Sequence, residues 1–229
     1  MSDTTAEMKD LVDHCARNVM ITSPILKAST DINWLDLRTC ANVTSYSGLD
    51  IVSPPPSVRL SAAWLMLVFG DSSPTRVLTL ATGSPLGVDL LGHEAIPEGE
   101  TDGTPLNSLD AIRSPRVRRR VWLRNARGDR LGYAASWWHD ADLSKCLPNE
   151  RLPIGGALSD AKRETFRELI LIVRGAGGHA LLDAEFENQE RAPLWSRWYL
   201  VYSAGRALCL VYECFAPSVS RWIGEYEKK

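Results

Sequence analysis

The sequence has no long hydrophobic run. Its strongest apolar stretch, Ala62–Phe69, stops at Gly70-Asp71, well short of the roughly 20 residues needed to span a bilayer. It has no Cys-x-x-Cys pair. Its five cysteines (Cys15, Cys40, Cys146, Cys209, Cys214) are odd in number and widely spaced, which favours reduced thiols in a cytoplasmic setting over a disulfide framework. The four histidines (His14, His93, His139, His179) are scattered and offer no zinc-ligand spacing. Nor is there an excess of positive charge: the net charge is −2, so neither nucleic acid nor an anionic membrane surface is expected as a partner. Met1–Lys9 is polar and mildly acidic, unlike a secretory signal. No repeat, low-complexity tract, glycine-rich phosphate loop or Ser–His–Asp order is present. Ser136 and His139 are too close in sequence to form a triad by themselves.

What is present is a globular composition: 229 residues, 45% hydrophobic and 24% charged, with eight tryptophans to fill a core or wall a pocket. Ser53-Pro54-Pro55-Pro56-Ser57 is a break that no helix crosses. It divides an N-terminal extension, 1–53, from a main domain, 54–229. Apolar spacing predicts a short helix over Ala6–Ala16 and another over Leu60–Phe69. Strands are expected at Arg76–Ala81 and Leu86–Glu94, flanking Thr82-Gly83-Ser84-Pro85, and residues 95–108 read as a loop. Hairpins are expected at Val121–Asn125 with Leu131–Trp137, and at Trp198–Ser203 with Ala207–Phe215. Ala141–Leu147 and Ser159–Leu171 read as helices. In the second, Glu164/Glu168 and Arg163/Arg167 sit four apart, as on a solvated helical face. Hairpins interrupted by helices favour an α+β domain on an antiparallel sheet.

One residue is out of keeping with its surroundings. Glu213 lies in Ala207–Phe215, a run that otherwise reads as a buried strand, and an ionised carboxylate is costly to bury unpaired. It calls for a structural ion pair or a chemical use. Strand alternation puts it on one face with Cys209, Val211 and Phe215. The run Arg116-Val117-Arg118-Arg119-Arg120 supplies cations. There Arg120 shares a face with Trp122, and Arg119 with Val121 and Leu123. Such a run is either a solvated approach to the strand or a source of guanidinium forks for an acidic ligand. Arg197, set among Trp195, Trp198 and Tyr199, suggests an enclosed guanidinium.

Five segments occur in order: Asp71-Ser72-Ser73-Pro74-Thr75-Arg76; Arg120-Val121-Trp122-Leu123 followed by Gly128 and Tyr133-Ala134-Ala135-Ser136; Pro153-Ile154-Gly155; Leu194-Trp195-Ser196-Arg197; and Val211-Tyr212-Glu213-Cys214-Phe215-Ala216-Pro217. Over roughly residues 60–220 the chain resembles the chorismate pyruvate-lyase (4-hydroxybenzoate synthase) family. The resemblance implies a single α+β domain with a six-stranded antiparallel sheet and flanking helices. It implies a lyase of aromatic biosynthesis or secondary metabolism that removes pyruvate from chorismate to leave 4-hydroxybenzoate or a related hydroxybenzoate. No cofactor or metal is expected, and the small-molecule substrate is the partner. On the resemblance, Arg120 and Glu213 fall on the catalytic positions. Thr75 or Pro74, the backbone at Ile154, and Arg197 fall at substrate contacts. The alternative is a small aromatic-acid binding module on the same fold, as in the effector domains of regulators, although no helix-turn-helix precedes the domain. An enclosed ligand and the lack of an interface stripe point to a monomer.

Overall fold

The computed structural model describes residues 34–40, 42–105, 107–176 and 179–224. The helix expected over Ala6–Ala16 lies outside them. The fold is a single antiparallel sheet with helices packed against it. Its strands are β1 (Asn42–Tyr46), β2 (Gly87–Ile96), β3 (Arg116–Arg124), β4 (Arg130–His139), β5 (Phe166–Ala176), β6 (Leu194–Ser203) and β7 (Arg206–Phe215), ordered β1-β5-β6-β7-β4-β3-β2. Among the described residues the sheet thus has seven strands where six were expected.

Three local readings change, each for a physical reason. Residues 76–81 are not a strand but lie inside helix α3 (Pro74–Thr82), which follows α1 (Leu49–Val52) and α2 (Ala62–Val68). Pro74 opens the helix at a position needing no backbone donor, and Gly83, at φ 65°, closes it in the left-handed region. The helix expected over Ser159–Leu171 ends early, as α5 (Ile154–Asp160), the successor of α4 (Asp140–Cys146). Lys162 then takes φ 51°, and the charged segment beyond it continues as β5. Charges four apart fit a helical face, but they also fit a strand, because four is a multiple of two. Finally, residues 42–46 pair with the outer edge of β5, from Asn42↔Ala176 to Tyr46↔Ile172. Trp34, Leu37 and Tyr46 are all buried in the core.

The hairpin turns follow the sequence closely. Between β6 and β7, Ala204 and Gly205 take φ 51° and 74°, the positive pair that a two-residue turn needs to match strand twist. Between β3 and β4 the Asn125 side chain accepts from Arg127 N (2.9 Å) and Asp129 N (3.0 Å).

Each face of the sheet carries its own core. On one, Trp122, Trp137, Trp198 and Tyr212 meet Trp34, Leu37, Leu109, and Leu182 and Phe186 of the helical turn α6 (Ala180–Glu185) and its end. Trp34 stands edge-on to Trp137, Trp198 and Tyr212 at 5.2–5.3 Å. On the other face, Trp195 and Phe215 pack on α2, α3 and the C-terminal turn α7 (Ser220–Ile223), and Trp138, Tyr199 and Val211 pack on α4 and α5. A small apolar cluster, Val88, Val121, Leu123 and Ala134, completes that face. The candidate site lies where these three clusters meet. Among the described residues, no helix is long and apolar enough to cross a membrane.

Candidate functional site

Strand alternation decides which side chains meet. Registers Arg119↔Ser136, Ser136↔Val211 and Val211↔Tyr199 run in one line across β3, β4, β7 and β6. Val121↔Ala134, Ala134↔Glu213 and Glu213↔Arg197 run in the next line on the same face. A pocket forms over these rows. Its floor includes Arg119, Val121, Ser136, Tyr199, Val211 and Glu213, with Arg167 of β5 at one side. Two helix starts cover it: Ser73, Pro74 and Thr75 at α3, and Pro153, Ile154 and Gly155 at α5. Gly155 permits their close approach, since a Cβ there would lie 2.3 Å from Ser73 Oγ. The cavity has a volume of about 20 Å³, about enough for one water. It is a narrow slot, and a ring-sized ligand must press its walls apart.

Glu213 is 5% exposed and pairs with Arg197, whose Nε donates to Oε2 at 3.2 Å. Arg197 makes three further hydrogen bonds. Its Nη1 donates to the carbonyls of Leu67 (2.9 Å) and Gly70 (2.7 Å), and its Nη2 to Ser72 (3.1 Å). A cation suits these carbonyls because they lie at and just beyond the C-terminal end of α2, where the helix dipole is negative. Its guanidinium also lies 4.9 Å from the Tyr199 ring centroid. Arg197 therefore ties the α2–α3 connection to the sheet and fixes one edge of Glu213. The other carboxylate oxygen accepts no hydrogen bond from a described residue.

Arg119 is 2% exposed. Its Nη2 donates to the carbonyls of Glu150 (2.6 Å) and Leu152 (3.3 Å), in the segment leading to α5, while its Nε is buried without a partner. Burial lowers its pKa to about 10, against the nearby Glu150, which favours the charged form; it stays a cation at neutral pH. Arg167 Nε is likewise buried without a partner. Burial also pushes the Tyr199 hydroxyl well above its ordinary value, with Glu213 adding to the rise, so it is a neutral donor.

Of the residues expected from sequence, Glu213, Arg197, Thr75 and Ile154 come together around the slot: Glu213, Thr75 and Ile154 line it, and Arg197 stands behind Glu213. Arg120 does not join them. It projects from the opposite face of β3, where its guanidinium pairs with Glu94, Nε to Oε2 at 3.3 Å. Arg120 and Glu213, which the resemblance puts at the catalytic positions, therefore lie on opposite faces of the sheet: the guanidinium on Glu213 is that of Arg197, and the run's arginine on that face is Arg119. The alternation that groups Arg119 with Val121 and Leu123 carried this information. Arg167 was hidden by the helical reading of its segment. Among the described residues, no group of three or more His, Cys, Asp or Glu could hold a metal ion.

Comparison with known proteins adds the following. Residues 68–223 match the protein family described as "Chorismate pyruvate-lyase Rv2949c-like". A protein of Cyanophora paradoxa, "Uncharacterized protein ycf21", is 26% identical over 165 residues, 71% of this chain and 81% of that protein. Its namesake in Pyropia yezoensis is 22% identical over 183 residues, 77% of this chain and 95% of the relative. Among solved structures, PhnF from Mycobacterium smegmatis aligns with TM-score 0.48 and 14% identity, over 63% of this chain and 64% of that one. The chain thus spans less than two thirds of that protein's length.

Proposed function

The chain belongs to the Rv2949c-like chorismate pyruvate-lyase family, and from that premise we propose that it is a lyase removing pyruvate from chorismate to leave 4-hydroxybenzoate. One observation carries the reading: a narrow slot on the sheet is lined by two arginines, Arg119 and Arg167, and by a carboxylate that is clamped on one edge only.

The reaction asks little beyond placement and proton movement. The ring carbon bearing the hydroxyl loses its proton. The C–O bond at the neighbouring carbon breaks, its electron pair leaving with enolpyruvate, which takes up a proton to become pyruvate. The ring becomes aromatic. Arg119 anchors a substrate carboxylate through a charge-assisted fork, which favours the anion most in a dry site. Glu213 moves the proton through the oxygen that Arg197 leaves free. Arg197 is a positioning residue. Ile154, at the first helical position of α5, has a backbone N–H with no intrahelical acceptor; with Thr75 it supplies the edge contacts that the family resemblance implies. Orientation in an enclosed site accounts for much of the acceleration.

The test is direct. The purified chain is incubated with chorismate, and pyruvate and hydroxybenzoate are followed by chromatography. Equimolar release of both is expected. Stabilisation of the fold by aromatic acids without release would instead favour a binding module.

A further inference from the structure

Arg167 is used by nothing in the scheme above. It lies on β5 opposite Val201, lines the same slot as Arg119 and Glu213, and has no hydrogen-bond or ion-pair partner among the described residues. Its Nε is buried and unsatisfied. Arg167 as a whole is half-buried, but a guanidinium N–H that loses water is normally paired, because leaving it unsatisfied is costly. The sheet shows the contrast. Arg197 donates to one carboxylate and three carbonyls, and Arg118, on the opposite face, is paired with Asp102 at 2.7 Å, although its Nε too lacks a hydrogen bond. Arg119 and Arg167 alone share one slot, and neither is matched there by a carboxylate. Glu213, the slot's carboxylate, is already held by Arg197.

Their spacing narrows the ligand. β5 and β3 are separated by β6, β7 and β4. At about 4.8 Å per strand step the two backbones stand about 19 Å apart. Both side chains line the slot between them, so a small ligand with an anionic group at each end meets both once the walls of the slot part. A monoanion satisfies only one end.

We infer that Arg167 is a second anion anchor, and that with Arg119 it makes the slot selective for a ring carrying two separated carboxylates. This deepens the lyase reading and rests on it for the identity of the substrate. The selectivity itself is a binding property. In that arrangement Arg119 holds one carboxylate, Arg167 holds the other, and Glu213 faces the bond between them.

The experiment uses the full chain and two unreactive probes measured by titration calorimetry: 4-hydroxybenzoate, with one carboxylate, and 3-(carboxymethoxy)benzoate, with two. Wild type is expected to favour the dicarboxylate by about tenfold or more, the scale of one charge-assisted contact. Arg167→Met removes that preference, weakening the dicarboxylate by about tenfold while the monocarboxylate changes by less than about threefold. Arg167→Lys restores part of it. Arg119→Met weakens both probes. Equal loss of both probes in Arg167→Met, or loss of neither, overturns the inference. If the methionine variant fails to fold, the lysine variant carries the comparison, and unchanged preference there overturns it equally. Pyruvate release from chorismate is scored separately. A chain that keeps the Arg167-dependent preference but releases no pyruvate sinks the lyase reading and leaves the two-anchor site standing.

Discussion

Arg118, Arg119 and Arg120 are neighbours in sequence and live in different electrostatic worlds. Arg118 and Arg120 project from one face of β3. There Asp102 takes Arg118 at 2.7 Å, Glu94 takes Arg120, and Trp137 Nε1 donates to Asp102 at 2.6 Å. Arg119 projects from the other face, with carbonyls for partners and an unsatisfied Nε. On one face the guanidinium groups are met by carboxylates, although Arg118 Nε too is buried without a hydrogen bond. The other leaves cations open to an arriving anion. The carboxylate-paired and the open guanidinium are thus separated by a single peptide unit, and period-two alternation is what separates them.

The comparison breaks most sharply at Arg197. Arg197→Met leaves Glu213 buried without its cation, at a cost of about 3–5 kcal/mol, and frees the carbonyls beyond α2. The expected result is a large drop in the urea midpoint, with turnover lost even where the fold persists. Next is Arg119→Met: turnover of chorismate, as kcat/KM, is expected to fall by about 100- to 1,000-fold as the carboxylate fork is lost, with the fold retained. The matching change on the other face, Arg120→Met, is expected to cost about 1 kcal/mol in stability and to alter kcat/KM by less than about threefold. Steady-state kinetics on the two variants side by side decides the matter. If Arg120→Met proves the more damaging to turnover, the assignment of the slot as the active site falls. Glu213→Gln keeps the shape and removes the base, so kcat is expected to fall by about 100-fold or more with little change in KM; intact turnover in Glu213→Ala would leave the residue a structural role only.

How far the sequence led can be read from the same residues. Glu213 and Arg197 were marked as misplaced charges in apolar strands, and the pair is real at 3.2 Å. Alternation already grouped Arg119 with Val121 and Leu123, and apart from Arg120. The motif resemblance favoured Arg120 because it placed a motif, which cannot resolve a shift of one residue, whereas the sheet turns such a shift into a change of face. Arg167 was illegible for another reason. Charges at 163, 164, 167 and 168 satisfy helical and strand periods alike, and only the left-handed Lys162 and the pairing with β6 settle which wins. β1 was missed because Asn-Val-Thr-Ser-Tyr is short and mostly polar. It is an edge strand whose role shows only when β5 is there to receive it.

The smallest expected effect lies away from both faces of the comparison and calibrates it. Asp142, at the first turn of α4, accepts from Arg206 at 2.8 Å through both oxygens and from Arg113 at 3.1 Å. The Arg206 hydrogen bonds, aided by Arg113 against the opposing effect of burial, lower its pKa from 3.8 to about 2. A carboxylate whose folded pKa is depressed contributes stability fully above its unfolded value, and that stability is lost as pH falls. The loss should therefore run from about pH 4 down to about pH 2. Both arginines are substantially exposed, with side chains 45% and 61% accessible. Solvent screens the cluster, and its worth is expected to be about 1 kcal/mol or less. Urea midpoints across pH 2–5 are expected to show this slope in the wild type and a shallower one in Asp142→Asn. The slope should also flatten in high salt. The Glu213–Arg197 pair is sealed from solvent, so its contribution should resist salt at neutral pH. An Asp142 effect as salt-resistant as the Arg197 one would erase the distinction between a solvated ion cluster and the buried clamp behind the slot.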